Sequence, residues 1–402
     1  MASDSKEPGS GEGFGCDSIE QVMRERIRET IEGLVEEELE AALGAAKSAR
    51  VGARRTGYRH GRRPRTLSTS LGPTTFTLPR GRLQGADGAE REWHSATFAR
   101  YARRTARVDE GLLGVYLSGT NTRRVRGALA PLLRGAPLGK DAISRLVGRL
   151  REDFDAWSTR DLAAEQICQL FLDGWYPRVR IGKKRVRVPV LVTLGTCADG
   201  RRVVVDLRLA GEESTAAWEE VLQGLTKRNM GRPQLAIIDG NPGLAKALQT
   251  TWPQVAVQRC TNHKLWNLVA KAPAHLREEL REDYRRMIYA DTVAGVEQAR
   301  VAFRRKWKTR CQAVASSFEE AGDQLFTFLR YPPSQWKALR TTNALERING
   351  EFRRRTKTQA SLPSEDAVLL LLFGLLRSGQ IHLRRLVGWQ DLTPVTQRVD
   401  AA

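Results

Sequence analysis

Five runs of apolar and β-branched residues between Gln169 and His263 set the strictest limit on how this chain can fold. QLFLDGWYPRVRI, VRVPVLVTLGTC and RRVVVDLRLAG come first, and Ala198-Asp199-Gly200 between the last two is a hairpin turn. Ser214 then caps a helix over STAAWEEVLQGLTKR. PQLAIIDG supplies a fourth strand with a helix from Pro242, and QVAVQRC supplies a fifth that ends at Cys260. Three antiparallel strands followed by strand–helix alternation predict an α/β fold with a mixed sheet covered by helices.

The sheet uses only part of the chain. Residues 1–16 are small, polar and Gly-rich, the composition of a disordered tail. Over 17–105, Ser18 with Gln21 reads as a capping box, and Ile19, Met23, Ile27, Ile31, Leu34, Val35, Leu39 and Leu43 recur at helical spacing. This amphipathic helix needs a partner, either the rest of the chain or a second copy. No acidic residue stands between Glu40 and Asp87, while ten Lys or Arg do. Arg54, Arg55, Arg59, Arg62 and Arg63, with Tyr58 among them, read as basic turns that contact a DNA backbone or minor groove, joined to Thr-rich extended pieces such as Thr74–Leu78. Over 106–160, helical patterns separated by short turns give a helix-turn-helix outline, with Arg145 on the polar side of its last helix.

Beyond the strands, 264–338 is helical and charged, and 339–395 carries the last helices. The formal charge of +20, from 66 Lys plus Arg against 46 Asp plus Glu, points to a polyanionic partner. Five cysteines without a repeating spacing suit reduced thiols. The N-terminus lacks a signal pattern, and the apolar run Ala367 to Leu376 is too short to span a bilayer. A soluble, cytoplasmic protein with no membrane partner is therefore expected.

Three carboxylates occupy informative places. Asp173 interrupts the apolar first strand, Asp239 ends the fourth, and Glu346 lies within the basic helix TTNALERINGEFRRRTKT. Singly, each reads as a turn Asp or a surface Glu. Jointly, two Asp-Gly pairs on apolar strands place charge where desolvation costs several kcal/mol unless something compensates. A hard divalent ion does so: Mg²⁺ prefers oxygen ligands, and two such ions can bridge a phosphodiester. Asn343, Glu346, Asn349 and Arg353 share a helix face, so the amides can orient a carboxylate or a phosphate. Gly350, mid-helix, suggests close backbone packing there.

In order and in spacing, RTGYRHGRRPRTL, LFLDGWYPRVR, AIIDGNPGL, VQRCTNHKLWN, TTNALERINGEFRRRTKT and LPSEDAVLLLL resemble the Mutator-type bacterial insertion-sequence transposases. These are DDE recombinases with an RNase H-like core, and the resemblance runs from about Ile27 to Leu376. It implies a catalytic and metal-binding triad of Asp173, Asp239 and Glu346. It also implies a five-stranded RNase H-like core over 165–263 and 339–395, interrupted by an all-helical insertion and preceded by a mainly helical DNA-binding region. The family's Cys-x-x-His signature falls on Cys260 and His263. This pair is too small for structural zinc, and His263 is expected at the scissile phosphate or flanking DNA.

The implied reaction is metal-dependent cleavage at terminal inverted repeats, followed by transesterification of the 3′-hydroxyl into double-stranded target DNA. Two Mg²⁺ ions would serve, with Mn²⁺ able to substitute. Lys264, Arg347, Arg353 and Arg354 are candidate backbone contacts, and pairing two ends implies a homodimer or larger, associated with the bacterial nucleoid. Two alternatives stay open on sequence: an RNase H-like structure-specific nuclease, and a transposase-derived DNA-binding protein without catalysis.

Overall fold

A computed structural model describes residues 16–49, 55–85, 88–118, 140–358, 362 and 364–392. The chain forms two compact units, one from Met1–Tyr116 with Thr122–Leu146, the other from Leu117–Asn121 with Val147–Ala402.

In the first unit, α1 (Cys16–Leu43) lies against a sheet of β1 (Gly57–Thr69), β2 (Gly72–Gln84) and β3 (Glu90–Glu92). α1 starts at Cys16, so Ser18 and Gln21 lie inside the helix rather than at its cap. The apolar stripe of α1 divides. Val35, Leu39 and Leu43 are fully buried, with Val35 packed among Phe76, Leu78 and Phe98, whereas Ile19 (62% exposed), Met23, Ile27 and Leu34 face outward.

Between α1 and residue 106, within a region expected to be mainly helical but with basic turns joined to extended pieces such as Thr74–Leu78, the chain forms a long antiparallel hairpin whose second strand contains Thr74–Leu78. Alternating Thr, Phe and Leu in β2 bury one face of the sheet, and that period-2 pattern overrides the turn signals of the Arg-Gly pairs. Gly61, at φ +110°, sits in the register irregularity between Arg59 and Arg62. Helices α2 (Ala106–Leu117) and α3 (Lys140–Thr159) follow. The helix expected between them lies outside the described residues, as do residues 1–15 of the tail and Arg54.

The second unit is built on a five-stranded sheet in the order β10-β9-β4-β7-β8. β4 (Ile167–Trp175), β7 (Val190–Cys197) and β8 (Arg202–Leu209) are antiparallel neighbours, while β9 (Leu235–Ile238) and β10 (Ala256–Arg259) run parallel to β4. A separate hairpin of β5 (Arg178–Ile181) and β6 (Lys184–Arg187) interrupts the meander. The Ala198-Asp199-Gly200 turn forms as expected, with Gly200 at φ +77° and Asp199 Oδ1 accepting from the Arg201 amide.

Leu170 and Leu172 of β4 join Trp218, Leu222, Leu244 and Leu248 in one core beneath α4 (Thr215–Lys227) and α5 (Pro242–Thr251). Alternation along the strand sends Phe171 and Asp173 to the other face. There α11 (Asn343–Thr358) packs on β4, with Leu345, Ile348 and Phe352 buried. Between β10 and α11, α6 (Thr261–Lys271), α7 (Arg277–Ile288), α8 (Val293–Arg310), α9 (Gln312–Ala321) and α10 (Pro333–Leu339) form a helical block. Its aromatic centre brings Phe303 to 4.8 Å from Phe318 and 5.9 Å from Trp307, centroid to centroid. Finally, α12 (Asp366–Arg377) lays Phe373 against Phe154 and Trp157 of α3.

Candidate active site

Pairing between parallel strands positions the two aspartates. Leu172 on β4 is register-matched to Ile238 on β9, so Asp173 and Asp239 follow at the same level of adjacent strands. The Asp239-Gly240 turn is tight: Gly240 adopts φ +101°, and a Cβ there would lie 2.6 Å from Arg259 Nη2. Asp239 Oδ1 accepts from the Asn241 amide at 2.8 Å, while the Asn241 side chain caps α5 by accepting from Leu244 N at 3.1 Å. One residue fixes both the carboxylate and the helix beyond it.

Glu346 lies in the first turn of α11, and one turn further Asn349 donates from Nδ2 to Asp173 Oδ2 at 3.0 Å. The amide expected to orient Glu346 or a phosphate therefore holds Asp173 instead. Asn343 serves another partner, accepting from Asn262 at 2.9 Å. Glu346 Oε1 is buried without a hydrogen-bond partner among the described residues.

Asp173 is 8% exposed. Burial, then the charge of Asp239, pushes its carboxyl up to about 7; Glu213 and Glu346 add to the shift and His263 opposes it. His263 lies on α6, its Nδ1 3.4 Å from Thr342 Oγ1 and its ring edge-on to Trp266 at 4.8 Å. Burial works against its charge, but a hydrogen bond with Cys260 and the negative charges of Cys260, Asp173 and Asp239 lift it to about 9. Asp173, Asp239, Glu346 and His263 thus share one electrostatic neighbourhood. Among the described residues no three His, Cys, Asp or Glu side chains stand close enough to ligate one metal ion. The oxygen-only donors and the unpartnered Glu346 Oε1 nevertheless suit a hard divalent ion.

Sequence reasoning missed a fourth carboxylate, Glu213, just before the Ser214 cap. It accepts from Tyr176 and Trp218, both at 3.1 Å, and a Cβ at Gly174 would lie 2.3 Å from its Oε2. Burial first, then Asp239's charge, raises its pKa. The available signal was the glycine after Asp173, which leaves room for a neighbour. The close packing expected at Gly350 is absent: a Cβ there would meet nothing within 4 Å, because that face of α11 borders an open cleft.

The expected DNA contacts divide in two. Arg55, Arg63, Arg145, Arg347 and Arg353 are exposed. Arg59 and Arg62 are both paired with Glu36, and Arg59 also reaches Glu40 at 3.3 Å. Arg354 pairs with Glu351 at 3.0 Å along the helix. Lys264 is corrected outright: its side chain is 2% exposed and its ammonium is held by Glu320 at 2.7 Å, beside Arg259. Its helical position turns it into the fold.

Residues 12–382 match the family described as Transposase, Mutator family. The chain is 32% identical to the transposase for insertion sequence element ISRM5 of Rhizobium meliloti over 323 residues, covering 80% of this chain and 78% of that protein. It is 31% identical over 324 residues to the transposase for insertion sequence element IS406 of Burkholderia multivorans, covering 80% and 81%. Against the transposase for insertion sequence element IS1081 of Mycobacterium tuberculosis, it is 28% identical over 350 residues, covering 84% and 80%.

Proposed function

Because the chain belongs to the Mutator family of transposases, we propose that it transposes an insertion sequence by cutting at the terminal inverted repeats and joining the freed 3′-hydroxyls to target DNA. The observation that carries this reading is the shared level of Asp173 and Asp239 on β4 and β9, with Asn349 fastening the Glu346 helix to Asp173. The mixed strand order is consistent with an RNase H-like core over 165–263 and 339–395, with 264–338 as its helical insertion.

Asp173, Asp239 and Glu346 would hold Mg²⁺, or Mn²⁺ in its place, as two ions. Bound there, the metal would supply Lewis acidity for the phosphodiester and lower the pKa of the attacking water or hydroxyl. The chain's own residues do the rest. Asn349 and the Asn241 amide fix the two aspartate carboxylates before substrate arrives, which spares reorganisation during the reaction. His263, held charged among these carboxylates, would approach the scissile phosphate and stabilise its developing charge.

Residues 17–105 and 106–160 would grip the terminal repeats, Arg55, Arg63 and Arg145 being exposed for phosphate contact. The outward stripe of Ile19, Met23 and Ile27 on α1 is suited to pack against a second copy, as a paired-end complex requires. Such a protein would work at the nucleoid in the cytoplasm. Among the described residues no helix is long and apolar enough to cross a membrane.

The test is a labelled element end incubated with Mg²⁺ and either wild type or Asp239→Asn. Nicking and joining by wild type alone is the expected result. Nicking without joining would favour a nuclease, and end binding with no chemistry from either protein would favour a non-catalytic DNA-binding protein.

A further inference from the structure

The second unit contains a cleft of about 880 Å³ between α11 and the segment 380–384. Glu346, Arg347 and Gly350 form one wall, Arg384 lies on the other, and Arg202 of β8 reaches it from the sheet. Arg202 also borders an adjoining cavity of about 540 Å³.

Arg202 is unlike the other partly buried cations of this unit. Arg228 pairs with Asp206 at 3.2 Å and donates to backbone carbonyls. Arg160 donates to the carbonyls of Trp157 and Val204, while Arg259 and Lys264 share Glu320. Arg202 has its guanidinium 5.4 Å from the centroid of the Phe171 ring, and its Nε is buried with no hydrogen-bond partner among the described residues. No carboxylate pairs with it among the described residues. Burial, with the repulsion of Arg347, brings its pKa down to about 10. A desolvated guanidinium that shares a cleft with a second arginine and has no acid partner among the described residues is a cost to the fold unless an anion completes it. Gly350 keeps the helix wall flat, with no atom within 4 Å of where a Cβ would stand.

We propose that this cleft is a phosphodiester subsite, in which Arg202 and Arg347 together hold a backbone phosphate of the DNA strand beside Glu346. The inference rests on the DNA-transposing reading and adds where on the second unit the strand lies. Arginine suits the role because its planar fork can donate two parallel hydrogen bonds to phosphate. Holding one phosphate by two groups would fix the strand's register relative to Glu346.

The test uses full-length protein in EDTA, so that binding is read without chemistry. Anisotropy of a fluorescent duplex of about 30 base pairs is followed against salt for wild type, Arg202→Met and Arg347→Ala, alongside thermal melting. Each phosphate contact contributes about 0.9 to the salt slope. We expect both variants to lose about that much slope and roughly fivefold or more in affinity, with Arg202→Met melting no lower than wild type without DNA. If both variants keep the wild-type slope while wild type binds DNA, this subsite is wrong and the transposase reading stands. If wild type binds no DNA, both fall. Should Arg202→Met fail to fold, Arg347→Ala, an exposed change, decides alone. Inorganic phosphate at millimolar concentration is run in parallel. Stabilisation of wild type by phosphate, with variant slopes unchanged, would assign the cleft to a free anion and overturn the DNA subsite.

Discussion

Asn349 Nδ2 lies 3.0 Å from Asp173 Oδ2, and this hydrogen bond joins the helix bearing Glu346 to the central strand of the sheet. It ties together two carboxylate-bearing elements that the chain order keeps far apart. Replacing Asn349 by Ala is expected to lower metal-dependent cleavage by about 10- to 100-fold, the usual cost of losing a group that orients a metal ligand. DNA binding in EDTA should be unchanged. Equal loss of both would make Asn349 a folding residue instead.

Asp173 gives the metal-free protein a pH dependence. Its folded pKa is raised to about 7, above the ordinary 3.8 of an aspartate, so the native state holds this proton more tightly than the unfolded chain. Its stabilising contribution is complete below about pH 4 and is lost as pH rises through 7. Melting temperature in EDTA should therefore fall across that window, and Asp173→Asn should flatten the fall. Added Mg²⁺ should restore the melting temperature of wild type at pH 8 but not that of Asp173→Asn.

Glu320 neutralises two cations, Lys264 and Arg259, both at 2.7 Å. Because the Lys264 side chain is buried while Glu320 is largely exposed, removal of the acid strands the ammonium. Glu320→Ala should cost about 3 kcal/mol in stability. Lys264→Met, which leaves Glu320 exposed and still paired with Arg259, should cost clearly less. Chemical denaturation of the two variants side by side distinguishes a structural Lys264 from a DNA contact.

In the first unit, Glu36 pairs with Arg59 and Arg62. Burial opposes its charge, but the hydrogen bond from Arg62 and the charges of both arginines hold its pKa below the usual carboxylate value. A depressed folded pKa contributes stability above pH 4.5 that is lost as pH falls through it. Glu36→Gln should destabilise this unit by about 2 kcal/mol at neutral pH and reduce its acid sensitivity. The freed arginines should raise non-specific DNA affinity, measurable as a steeper salt slope.

Gly350→Ala fills open space on a helix and removes a propensity penalty of about 1 kcal/mol. It should raise the melting temperature. Where DNA backbone occupies the cleft, the same methyl should weaken DNA binding, giving a protein that is more stable and binds less tightly.

Local pattern made much of this legible. The Asp199-Gly200 turn and the Ser214 cap depend on near neighbours, and each appears where the sequence places it, whereas the first two β-branched runs are each broken, Arg178–Ile181 and Lys184–Arg187 pairing as a hairpin of their own. The basic hairpin of β1 and β2 was less readable, because its Arg-Gly pairs carry turn signals and its register is set by residues on the opposite strand. Lys264 shows the same limit on a helix: position gives a face, but not whether that face meets solvent or Glu320.

The sequence by itself determined the α/β class, the order of the five strands of the main sheet, and the aspartates at two strand positions, since period and turn chemistry act over a few residues. Only the tertiary structure decided which groups meet: the common level of Asp173 and Asp239, Asn349 on Asp173 rather than Glu346, Glu213 against Gly174, and Arg202 left without an acid among the described residues. The physical reason is that charge compensation and desolvation depend on neighbours brought together by sheet register and helix packing, whose identities no local window contains.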